Sequence, residues 1–169
     1  VSGGEPFAMA CAYVIKKNRL KSVAIVCGLA PHNAKGMNKG KVGVLLYYGK
    51  KPIVSWFLLN FIRHRLLRNK VEKSFNKWKN KIPLPKSDLK LFTINRGVKL
   101  IKNFQCAMQY GITGIYSDAK LYANDWNFDL KNIKKKIFIW HGNKDLTVPV
   151  ITSKYYNMKL KNNELFIKS

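Results

Sequence analysis

Two short apolar runs limit what this chain can fold into: Ser22-Val23-Ala24-Ile25-Val26-Cys27-Gly28 and Lys136-Ile137-Phe138-Ile139-Trp140. Each is shorter than an ordinary helix, rich in β-branched or aromatic residues, and followed closely by glycine. That is the pattern of a strand buried on both faces of a parallel sheet. Glu164-Leu165-Phe166-Ile167 reads as a third strand. Glu5 to Lys17 repeats apolar residues at three- and four-residue spacing, and Ile151 to Leu160 does the same, so both read as helices. Glu5 and Pro6 suit the first turn, one by its charge and the other by its fixed φ. Strands alternating with helices imply right-handed crossovers, which predicts an α/β fold with about three parallel strands and flanking helices.

The segment between the first two strands has another texture. Val42 to Tyr48, Ile53 to Leu67 and Leu89 to Phe104 are apolar-basic and mostly helical in period. Another helix runs from about Cys106 to Ala123, interrupted by Gly111 and Gly114. Lys81 to Asp88 is a proline-marked turn, with Ser87 placed as an N-cap. The expected organisation is a core of residues 1–31 and 124–169, with residues 32–123 inserted as a helical cap.

The net charge of +24 suggests polyanions as partners. The basic residues are overwhelmingly lysine, however, with arginine only at Arg19, Arg63, Arg65, Arg68 and Arg96. Arginine is the residue that reads phosphates and guanine edges bidentately. Lys, Asn and Ile share adenine/thymine-rich codons, so codon bias explains the composition, and the expectation is nonspecific polyanion attraction without specific nucleic-acid recognition. The longest apolar stretch, Pro52 to Ile62, is half the length of a membrane span. With neither a span nor a charged-then-apolar leader, a cytoplasmic protein is expected. Cys11, Cys27 and Cys106 show no metal or disulfide spacing and read as buried free thiols.

Two motifs carry chemistry. Val1-Ser2-Gly3-Gly4 sets a serine between small residues at the start of a helix. Such a serine is either the cap of that helix or a nucleophile raised on a strand-to-helix turn, with helix N–H groups beside it. The second motif, Ile137 through Pro149, is a strand, the glycine turn His141-Gly142, the exposed acid Asp145, and Val148-Pro149.

Together these segments resemble the α/β-hydrolase family from its nucleophile elbow onward. Val1-Ser2-Gly3-Gly4 is similar to the x-S-x-G of the elbow, and residues 141–149 to the H-G-x-x-D-x-x-V-P segment that delivers the triad acid. Ala24 to Pro31 resembles the strand and exit loop after the elbow helix, and Asp118 to Leu130 the return from cap to core. The resemblance implies a partial α/β-hydrolase that acts on a small-molecule acyl substrate without metal or organic cofactor. Ser2 would be the nucleophile, the Gly3 N–H an oxyanion donor, and Asp145 the acid that orients a histidine. His32, His64 and His141 read as loop or helix-surface residues, so the triad histidine is expected beyond Ser169.

Two other readings remain. One is an inactive hydrolase homologue. The other is a noncatalytic polycation that binds nucleic acid or an anionic membrane. There Arg63, Arg65, Arg68, Lys70, Lys73, Lys77 and Lys79 would meet phosphates, with Phe75 and Trp78 interleaved. Trp56, Phe57, Phe61 and Trp78 in the insertion would suit an acyl or aromatic group.

Overall fold

The computed structural model describes residues 1–79 and 93–169. Its elements, in order, are a 3₁₀ turn (Ser2–Gly4), α1 (Glu5–Val14), β1 (Ser22–Val26), α2 (Gly40–Gly49), α3 (Pro52–Arg68), α4 (Val71–Lys79), α5 (Ile94–Met108), α6 (Thr113–Ala123), a second 3₁₀ turn (Leu130–Asn132), β2 (Lys136–Gly142), α7 (Ile151–Lys159) and β3 (Asn163–Lys168). The turn expected at Lys81–Asp88, with its Ser87 cap, lies outside the described residues. The helix after it carries a Thr93 cap, whose hydroxyl accepts from the Arg96 N–H at 3.5 Å. Gly111, at φ +137°, separates α5 from α6 as a break rather than an interruption.

The sheet is parallel and ordered β1-β2-β3, with Ile25 opposite Ile139 and Ile139 opposite Leu165. The fold is therefore α/β, as the alternation of periods predicts. Ile25, Ile137 and Ile139 are buried with Met9 and Ala12 of α1 and Tyr156 of α7. The opposite face carries a ladder of rings: Phe138 and Trp140 stack at 5.9 Å, and Trp140 and Phe166 at 5.1 Å. β1 is not buried on both faces as its composition suggested: Ala24 and Val26, on the face opposite Ile25, are exposed. Alternation is clean only in the central strand β2, where Ile137, Ile139 and His141 point into the core.

The chain divides into two compact units, Val1–Lys50 with Leu121–Ser169, and Lys51–Lys120. The first holds the sheet, and α2 contributes Val42 and Leu46 to its core. In the second, Phe75 of α4 is buried against α5, where Gly97 makes room for it. A Cβ on Gly97 would stand 1.8 Å from the Phe75 ring.

The cysteines correct the expectation of buried thiols: Cys11 and Cys106 are exposed, and only Cys27 is half-buried. On α1 the buried stripe is Glu5, Met9 and Ala12, and on α5 it is Gly97, Ile101 and Met108. Cys11 and Cys106 fall off these stripes, so helical phase overrides the burial habit of the residue.

Candidate functional site

The parallel register brings the ends of β1 and β2 to one edge of the sheet, where ligands of open α/β sheets bind. The segment Cys27-Gly28-Leu29 leaves β1 there, and Asp145 leaves β2. Three bonds tie the β1 exit down. The Leu29 N–H donates to the Ser2 carbonyl at 3.4 Å, Thr152 Oγ1 donates to the Gly28 carbonyl at 3.2 Å, and the Tyr156 hydroxyl donates to the Leu29 carbonyl at 2.5 Å. The exit loop thus stands between the serine turn and the helix that follows Asp145.

Ser2 is exposed and has φ +51°, a left-handed conformation uncommon for any residue but glycine. It does not cap α1: the cap position is Gly4, and no side-chain capping bond forms there. The Gly3 carbonyl accepts from the Tyr122 hydroxyl at 2.9 Å, and a Cβ at Gly3 would stand 2.9 Å from that same oxygen. A side chain at this position would have to displace the Tyr122 hydroxyl.

Asp145 is a partly covered acid rather than the exposed one its turn suggested. Its Oδ1 accepts from the Thr147 N–H at 2.8 Å and the Val148 N–H at 2.9 Å. Two backbone donors fix the carboxylate plane. His141 lies beneath, fully buried within β2 instead of in a loop. Its Nε2 donates to the Val148 carbonyl at 2.9 Å, a group that can only accept. Its Nδ1 pairs with Ser153 Oγ at 2.6 Å. His141 also stands 3.7 Å from Asp145 Oδ2. With both nitrogens committed, it serves as a brace for the acid loop. His32 faces Asp125 at 3.7 Å, and His64 sits beside Arg68 on α3.

Two residues of the site were not legible in the sequence. Cys27 has φ +48°, and burial together with the Asp145 carboxylate pushes its thiol up. Its sulfur, a His141 nitrogen and an Asp145 oxygen lie within 4.8 Å of one another. That is a metal-like donor set, but the imidazole has no lone pair left to offer. The second is Glu5, which is 1 % exposed, with neither carboxylate oxygen hydrogen-bonded. The nearby Tyr156 hydroxyl couples to it electrostatically but spends its proton on Leu29, so burial raises the Glu5 pKa to about 8. Glu5 was expected to favour the helix start by its charge, yet in the fold it is a neutral acid at neutral pH. No sequence signal separates it from an ordinary first-turn glutamate.

The backbone has a solved counterpart. The chain is similar to the crystal structure of a membrane phospholipase A, a bacterial virulence factor, with a TM-score of 0.50 and 18% identity. The match covers 98% of this chain and 46% of that one, so the chain spans less than half that protein's length. At this identity the likeness establishes a common α/β fold. No protein-family model and no curated protein matches the chain.

The basic segment of the polycation reading is distributed unevenly. Arg63 is engaged, donating to the Met108 and Gln109 carbonyls at 2.7 and 2.8 Å. Arg65, Arg68, Lys70 and Lys73 are exposed. Phe75 is buried under Gly97 and unavailable for stacking on bases, contrary to the interleaved pattern. The side chains of Lys77, Trp78 and Lys79 lie outside the described ones.

Proposed function

We propose that the chain carries part of a serine hydrolase that cleaves acyl bonds, with Ser2 as nucleophile and Asp145 as the acid of its triad. The observation that carries this reading is the left-handed Ser2 at the head of α1. A strained backbone at a turn that two glycines join to a helix lifts the hydroxyl clear of the chain, which a capping serine does not need. The doubly anchored Asp145 at the neighbouring strand end supports it, because a fixed carboxylate can hold an imidazole in one tautomer.

In this reaction the Ser2 hydroxyl attacks the carbonyl carbon, and its proton passes to a histidine that Asp145 orients. The Gly3 N–H, at the helix start, meets the developing oxyanion. The reading requires a histidine that none of His32, His64 and His141 supplies. The likeness to a phospholipase favours a lipid ester as the substrate.

A fluorophosphonate probe, offered to the protein expressed from its complete reading frame, tests the assignment. Labelling at Ser2 that disappears in Ser2→Ala supports it. A folded protein that takes no label overturns it.

A further inference from the structure

Helix α3 is apolar on its outward side as well as on the side where Leu58, Leu59 and Leu66 are partly buried. Its buried residue is Ser55, whereas Ile53, Trp56, Phe57 and Phe61 are half or more exposed, Ile53 at 73%. A helix that only packed against its own unit would turn these residues inward and the serine outward. Charge is also distributed along the axis rather than around it. Pro52 to Ile62 carries no charged residue, while Lys50 and Lys51 precede it and Arg63, Arg65, Arg68, Lys70 and Lys73 follow.

From this arrangement we propose that α3 is an interfacial helix that docks the protein on an anionic lipid bilayer. The uncharged part is about 16 Å long at 1.5 Å per residue. That is roughly half the hydrocarbon thickness of a bilayer, so the helix cannot cross one. No helix among the described residues is long and apolar enough to do so. It can instead lie in the boundary, with Ile53, Trp56 and Phe57 among the acyl chains and the exposed Lys50, Arg65, Arg68, Lys70 and Lys73 among headgroup phosphates. Trp is the residue most at home at that depth. Arg65 lies 5.7 Å over the Phe61 ring, which keeps a cation at the edge of the apolar stretch. Pro52, Ile53, Trp56, Phe57 and Tyr116 also line an open apolar hollow of about 230 Å³, which fits part of a lipid tail.

The pattern fits lipid better than the other polyanions a basic protein meets. A nucleic-acid strand needs cations between the aromatic rings, and this stretch has none. It also fits lipid better than a second copy, because two chains of net charge +24 repel. The inference concerns the helical unit and holds whether or not Ser2 is a nucleophile.

Flotation with vesicles of equal parts phosphatidylcholine and phosphatidylserine tests it, in low and in high salt. The double variant Trp56→Glu/Phe57→Glu changes only exposed side chains, and its melting curve checks the fold. Binding that partly survives high salt and falls roughly tenfold or more in the variant supports the proposal. Quenching of Trp56 by lipids brominated along the acyl chain, absent in Trp56→Phe, supports it as well. Three outcomes overturn it. In the first, salt abolishes binding and the variant binds equally, which is bare polycation attraction. In the second, an oligothymidine binds more tightly than the vesicles. In the third, the face is covered by self-association that the variant dissolves in the absence of lipid.

Discussion

The carboxyl of Glu5 fills the space that a side chain at Gly28 would need: a Cβ on Gly28 would fall 0.7 Å from Glu5 Oε2 and 1.8 Å from its carboxyl carbon. The two residues lie on different elements, one at the head of α1 and one in the exit from β1, and they fit only as a pair. Gly28→Ala should therefore destabilise the first unit by about 2 kcal/mol or more through overpacking. Glu5→Ala should recover part of that loss in the double variant. Chemical denaturation of the two single variants and the double variant checks the coupling, and strictly additive losses would contradict it.

Glu5 also predicts a pH dependence. Its folded pKa, about 8, lies above the ordinary value of 4.5, so the folded state holds the proton more tightly than the unfolded chain does. Stability is then greatest below about pH 4.5 as far as this group is concerned, and falls as pH rises toward 8. The loss from this group is on the order of 4 kcal/mol. Glu5→Gln should flatten that slope. Melting temperatures of both proteins across this range give the measurement, and parallel curves would rule Glu5 out as the cause.

The brace beneath Asp145 depends on Ser153. Ser153→Ala removes the partner of His141 Nδ1 in a fully buried position. The orphaned nitrogen should cost about 1–3 kcal/mol in urea unfolding. Ser153→Thr keeps a hydroxyl and should cost less if its extra methyl is accommodated.

Thiol reactivity should follow exposure. Cys11 and Cys106 are exposed, while burial and the Asp145 carboxylate raise the pKa of the half-buried Cys27. Brief alkylation with iodoacetamide near pH 8, read by peptide mass, should modify Cys11 and Cys106 well before Cys27. Preferential labelling of Cys27 would show that its thiol is not held protonated as the structure implies.

Chain order and local period were enough to place α1, β1, β2, α7 and β3 within a few residues, because a strand run and a helical repeat are properties of consecutive residues. The parallel sheet followed from their alternation. Ser2 and Asp145 could be singled out because turn chemistry is also local. Burial is not local, and there the sequence stopped. Whether Cys11 lies inward, whether β1 has one covered face or two, and whether His141 is loop or core depend on what packs opposite. Glu5 is the sharpest case: an acid in a first turn reads as a favourable charge, and only its burial against Gly28 makes it neutral. The same holds for α3, whose helical period was legible and whose exposed rings appear only once its neighbours are placed. The sequence by itself determined the elements and their order. Tertiary structure decided which faces meet, because desolvation depends on the partner surface and not on the residue alone.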